Sequence, residues 1–208
     1  MKIFTAVLFV LLAMHTSSAQ IAVSGRFISN NSEGFDLLAD EVAFRTGFEV
    51  GIGYWFRLES KRLEFTPEIS YFSLSSDIST TGFGINGNIL IYPLDFHSDC
   101  NACPTFSKEG GLIKKGFYWL ISPGLLQISH DNPFIQEEER SQLTYRLGVG
   151  LGLDLGVTNL ITLSPFAMYN ITGVDYLFNS TTPSPTSSGL SQVHLGVRAT
   201  LRFDKDRW

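Results

Sequence analysis

Polar and apolar residues alternate with a period of two along four long stretches of the chain, the spacing that sends successive β-strand side chains to opposite faces. In 44–57 one face reads Phe44, Thr46, Phe48, Val50, Ile52, Tyr54, Phe56, and the other carries Arg45, Glu49 and Arg57 among glycines. In 63–72, Leu63, Phe65, Pro67, Ile69 and Tyr71 oppose Glu64, Thr66, Glu68, Ser70 and Phe72. In 143–155 the odd positions are Leu, Tyr or Val, and the even ones include Thr144, Arg146, three glycines and Asp154. In 193–203, Val193, Leu195, Val197, Ala199, Leu201 and Phe203 oppose His194, Gly196, Arg198, Thr200 and Arg202. Weaker alternation over 21–29, 81–92, 116–128 and 159–171 brings the expected total to about eight strands. Most are longer than the roughly 5–6 residues of an ordinary strand and match the roughly 9–11 that cross a bilayer.

The residues decide which face points where. An Arg facing lipid at mid-depth costs about 2–4 kcal/mol. Arg45, Glu49, Arg57, Glu64, Glu68, Arg146, Asp154, Arg198 and Arg202 therefore point inward and pair. The opposite face is nearly pure Leu, Val, Ile and Phe, an area too large to leave in water. The expected fold is all-β: an antiparallel up-and-down transmembrane barrel of about eight strands. A barrel of that size is just wide enough for side chains to fill, so its interior reads as a plug of ion pairs and not a pore. A soluble ligand-binding barrel would carry the reverse polarity.

Outer-membrane barrels have short periplasmic turns and longer external loops. With both termini in the periplasm, the external connections are 30–40, 74–80, 130–141 and 172–190, and the short turns are 58–62 and 156–158. The long 93–115 connection breaks the rule. Acidic residues such as Glu33, Asp36, Asp131 and Glu137 to Glu139 gather outside, whereas Lys61, Arg62, Lys114, Lys115 and Lys205 lie on the periplasmic side. Outward aromatics Tyr71, Tyr145 and Tyr169 fall toward one rim and Tyr54, Phe56, Phe65 and Phe203 toward the other, as girdles do.

Composition fits this reading. Charged residues are 17% of the chain, against about 25% in a typical soluble domain, and the 17 phenylalanines dominate the aromatics. Lys2, the apolar run 3–14 and the small residues Ser17, Ser18 and Ala19 predict a secretory signal peptide over 1–19, leaving 20–208 as the barrel domain. Removing Lys2 takes the basic count from 15 to 14, so the formal charge becomes 14 − 20 = −6. That balance argues against a nucleic-acid partner.

The strand ending Leu63-Glu64-Phe65-Thr66-Pro67-Glu68-Ile69-Ser70-Tyr71 follows a short turn, a similar hairpin recurs over 147–169 with Pro165 in the matching place, and Phe203 closes the last strand. In these features the chain resembles the small outer-membrane β-barrel proteins (porin-family, OmpA-like barrels) of Bacteroidetes-type bacteria. The resemblance implies an outer-membrane location, contact with membrane lipid and lipopolysaccharide, and delivery by the barrel-assembly machinery through a terminal aromatic, Phe203 or Trp208. Pro67 and Pro165 each remove a ladder donor from a strand, and a bulge is expected at each.

Chemistry is sparse. Cys100 and Cys103, the only cysteines, form a C-x-x-C pair in the 93–115 connection. In an exported chain a disulfide is the first expectation, with redox-active thiols or a zinc site that includes His97 as alternatives. His194 reads as an inward core histidine. His130, beside Ser129 and Asp131, is a candidate for hydrolytic chemistry, but adjacent loop residues seldom converge on one point. No cofactor is expected. The function read from sequence is a non-enzymatic envelope or loop-mediated binding role, with an outer-membrane lipid-modifying enzyme or a small gated channel as alternatives.

Overall fold

A computed structural model describes residues 20–30, 46–57, 63–75, 80–95, 116–158 less 131–140, 160–174 and 188–202. They form β1 (Gln20–Asn30), β2 (Thr46–Arg57), β3 (Leu63–Ser75), β4 (Thr80–Ile91), β5 (Phe117–His130), β6 (Ser141–Leu153), β7 (Leu155–Gly156), β8 (Ile161–Val174) and β9 (Ser188–Arg202). Every pairing is antiparallel between sequence neighbours, and β1 also pairs with β9, which closes the sheet. β6 and β7 pair with β8 in a single unbroken register, separated only by Asp154. They are one stave, and the molecule is a closed antiparallel barrel of eight staves.

The alternation read from sequence maps onto the wall. Glu49, Gly51, Glu64, Glu68, Arg146, Asp154 and Arg198 are buried, whereas Phe48, Val50, Ile52, Ile69, Val149, Leu195 and Val197 face outward. The outer surface is a continuous apolar belt, in which Ile85 is 64% and Phe83 62% exposed. Tyr71 packs on Phe83 with ring centroids 5.4 Å apart, and Phe56 stacks on Phe65 at 5.2 Å. These pairs lie toward opposite rims, where amphipathic rings suit a membrane boundary.

Gln20 pairs with Arg202, so the two ends of the barrel wall lie at one rim. The tight β7–β8 turn is at that rim too. There Thr158 Oγ1 accepts from the amides of Leu160 at 3.1 Å and Ile161 at 3.0 Å, which satisfies the turn locally. This rim is the turn end below, and the opposite rim is the loop end.

Three expectations need correction. Strands run further than the alternation indicated at the loop end: Leu74, Ser75, Thr172 and Leu190 are strand residues, not loop. The expected bulges are absent from the described strands. Pro67 leaves the β2–β3 ladder unpaired between Gly53–Glu68 and Phe56–Phe65, but the register is the same on both sides. Pro165 likewise falls opposite Leu153, in the unpaired step between Gly152–Phe166 and Leu155–Leu163, without a register shift. A third proline, Pro123, interrupts β4–β5 between Asn86–Gly124 and Ile89–Ile121 in the same way. Each proline keeps its pairing with the other neighbour: Pro67 with Gly87, Pro123 with Leu147 and Pro165 with Val197. Finally, the interior is not ion pairs alone, because apolar layers are interleaved with the charges.

Candidate functional site

The lumen is the candidate site, and it is stratified. At the loop end Ile28, Phe72, Leu74, Leu126 and Ile128 pack as one buried apolar layer. Phe72 and Ile28 sit on inward positions of their strands, so the layer is written in the same alternation as the charges below it.

The next layer is ionic. Arg26 on β1, Glu49 on β2, Glu68 on β3 and Arg146 on β6 supply two charges of each sign. Arg146 is bidentate on Glu49, with Nη1 donating to Oε2 at 2.9 Å and Nη2 to Oε1 at 2.7 Å. Arg26 Nη1 donates to the same carboxylate at 3.2 Å, and its Nη2 donates to Glu68. Ser24 Oγ donates to the other Glu68 oxygen at 2.8 Å. Asn86 accepts from Arg146 Nη2 at 2.7 Å and donates to Ser70 Oγ at 3.1 Å. His194 Nδ1 lies 3.6 Å from Glu49 Oε2. Bidentate, charge-assisted bonds of this kind are the strong ones. Buried charges need such saturation, because desolvation is repaid only when geometry is good and every lone pair is used.

Below it Leu90, Leu120, Phe166 and Met168 form a second apolar layer. The Arg26 guanidinium carbon sits 5.7 Å from the Phe166 ring centre, a cation–π contact that joins the two layers. Asn88 bridges the wall here, accepting from Ser122 Oγ at 2.7 Å and donating to the Thr66 carbonyl at 3.1 Å.

The turn end holds the second polar layer. Tyr92 Oη lies 2.8 Å from Glu64 Oε2 and 2.5 Å from Asp154 Oδ2, and its single proton serves one of them at a time. Trp55 Nε1 donates to Glu64 at 2.9 Å and Ser164 Oγ to Asp154 at 2.6 Å. Arg198 Nη2 approaches Asp154 at 3.9 Å, with its guanidinium 5.5 Å from the Tyr118 ring centre. Tyr118 in turn presses against Gly152, where a Cβ would overlap the phenol.

With the strand count, the closure and the inside-polar, outside-apolar wall in place, comparison with solved structures is decisive for the fold. Neisserial surface protein A superposes with a TM-score of 0.56 at 14% identity, covering 90% of this chain and 98% of that one. The fold is that of a small outer-membrane barrel. The N-terminal barrel domain of OprF from Pseudomonas aeruginosa also matches, with a TM-score of 0.46, 14% identity, and coverage of 88% and 97%. No protein-family model and no curated protein matches the sequence.

Of the charges assigned to the interior from sequence, Glu49, Glu64, Glu68, Arg146, Asp154 and Arg198 are buried in the two polar layers. Arg57 is half-buried and stands opposite Glu64 in the β2–β3 ladder. Arg45 lies outside the described residues, as does the side chain of Arg202, although Arg202 itself ends β9. Cys100, Cys103, His97, Asp131 and the Glu137 to Glu139 run also lie outside them. His130 ends β5, paired with Thr80 at the loop rim. His194 is inward, as its register required.

Two residues central to the geometry are absent from the sequence reading of interior charges. Arg26 sits on β1, where the inward set Ala22, Ser24, Arg26, Ile28 mixes polar and apolar residues and so gives weak contrast. Its parity in β1 was the available signal. Tyr92 lies one residue past β4, in step with the inward Asn86, Asn88 and Leu90.

Proposed function

We propose that this protein is an integral outer-membrane barrel, exported by loss of residues 1–19, that serves as a rigid non-enzymatic scaffold. It holds the connections 31–45, 76–79, 131–140 and 175–187 at the cell surface for structural or binding roles. The observation that carries this reading is the cross-lumen ionic layer, in which Glu49 takes bonds from Arg26 and Arg146 and the carboxylate is fully buried. A lumen tied across its width by buried, bidentate ion pairs suits a strut better than a conduit. The apolar belt supports lipid and lipopolysaccharide as its surroundings, and the aromatic Phe203 directly after β9 supports delivery by the barrel-assembly machinery. The hairpin pattern around Pro67 and Pro165 supports kinship with OmpA-like, porin-family barrels of Bacteroidetes-type bacteria.

The test is expression in an outer membrane, followed by electrophoresis with and without boiling and by planar-bilayer recording. The expected result is membrane-fraction protein that migrates faster unboiled and carries no steady current. Soluble periplasmic protein would overturn the membrane reading. Steady conductance that changes with Glu49→Gln would replace the scaffold with a channel.

A further inference from the structure

One sector of the lumen wall, between the upper apolar layer and the ionic layer, holds buried polar atoms that meet no hydrogen-bonding group among the described residues. They are both amide atoms of Asn170, Thr172 Oγ1 and Arg146 Nε. The three side chains are 0%, 1% and 2% exposed. The ladders bring them together: Arg146 faces Thr172 and Gly148 faces Asn170 across β6–β8, and Asn170 faces Gln192 across β8–β9. A Cβ at Gly148 would run into the Asn170 carboxamide oxygen and the Met168 sulfur, so glycine there keeps room beside the amide. A cavity of about 10 Å³ opens against this sector, bounded by Arg146, Thr172 and Gln192 on one side and by the five apolar residues of the loop-end layer on the other.

Unpaired buried amides and hydroxyls are costly, and native proteins satisfy them with protein groups or ordered water. The cavity has room for about one water. Two of the unpartnered groups line it: the Nε–H of Arg146 donates, and the Thr172 hydroxyl both donates and accepts, while Asn170 stands two residues along β8 outside the lining. A cation would face the guanidinium, and an anion would sit among five apolar side chains beside an arginine whose charge Glu49 already meets. A neutral molecule that both donates and accepts fits. We propose that this pocket is an internal water site, which completes the hydrogen bonding of Arg146 and Thr172 beneath the apolar cap. The site holds whether the barrel is a scaffold, a channel or an enzyme.

Water–protein cross-relaxation in the full-length, isotope-labelled protein folded in detergent micelles tests it. The expected result is a direct cross-peak from water to the Arg146 Nε–H and to the Thr172 methyl protons, with the sign of a long-lived bound water. Thr172→Val should weaken the Arg146 cross-peak severalfold. Absence of both cross-peaks from the unaltered protein overturns the proposal without recourse to any variant. So does a high-resolution crystal structure in which Asn170 bonds Thr172 directly.

Discussion

Glu49 and Arg146 stand on diametrically opposed staves, the second and sixth of eight, and are bonded twice across the lumen. Their side chains together span the bore. Removing one partner leaves the other charged and buried, which costs about 3–5 kcal/mol. Glu49→Ala is therefore expected to lower unfolding stability by about that much, and Glu49→Leu with Arg146→Met to recover a large part of it. Urea titration in micelles reads both. A loss below about 1 kcal/mol for Glu49→Ala would show that the layer does not hold the barrel together.

Tyr92→Phe isolates one hydroxyl. The ring and its contact with Tyr118, at 5.6 Å between centroids, remain, while Glu64 and Asp154 lose their shared donor. The expected cost is about 1–3 kcal/mol, measured by the same titration. An unchanged midpoint would mean that the two carboxylates are satisfied without the phenol.

The outer belt makes a depth prediction. Val149 is near the middle of β6 and Leu143 near its loop end, and both face outward. Val149→Arg should cost about 2–4 kcal/mol and Leu143→Arg about 0–1. Folding into lipid vesicles, followed by unboiled electrophoresis, separates them. Equal costs would place the bilayer midplane elsewhere on the wall.

Two glycines give a paired test of packing. A Cβ at Gly51 would lie 2.6 Å from the Glu68 carboxyl carbon, whereas one at Gly25 meets nothing within 4 Å. Gly51→Ala is expected to destabilise by about 1–3 kcal/mol through overpacking of the ionic layer, and Gly25→Ala to be near neutral. The reverse order in thermal melts would contradict the inward assignment of Gly51.

Fold class was legible because one chemical fact repeats along every strand. Charges cannot face lipid, so Glu49, Glu68, Arg146 and Arg198 each take the inward alternation of their own strand. The same rule is silent about apolar residues of inward parity. Phe72, Leu90 and Met168 carry no mark that separates lumen from lipid, and their layers emerge only when ladders place them side by side. The partners of the charges were illegible for the same reason: Arg26 meets Glu68 from two staves away, and no sequence spacing encodes that meeting. The prolines misled because a missing donor was expected to shift the register, whereas the closed ladder on the other side held it.

Those prolines have a mechanical consequence. β1–β2, β3–β4, β5–β6 and β8–β9 are four hairpins, each joined at the loop end and paired without a gap. Pro67, Pro123 and Pro165 each interrupt a seam between hairpins, at β2–β3, β4–β5 and β6–β8. The fourth seam, β1–β9, is paired without a gap, so the wall has three softer joints and one as continuous as the hairpins. Backbone amides flanking the three proline seams are expected to exchange with solvent faster than those of the β1–β9 seam, and equal exchange would show that the prolines leave the joints as strong as the rest.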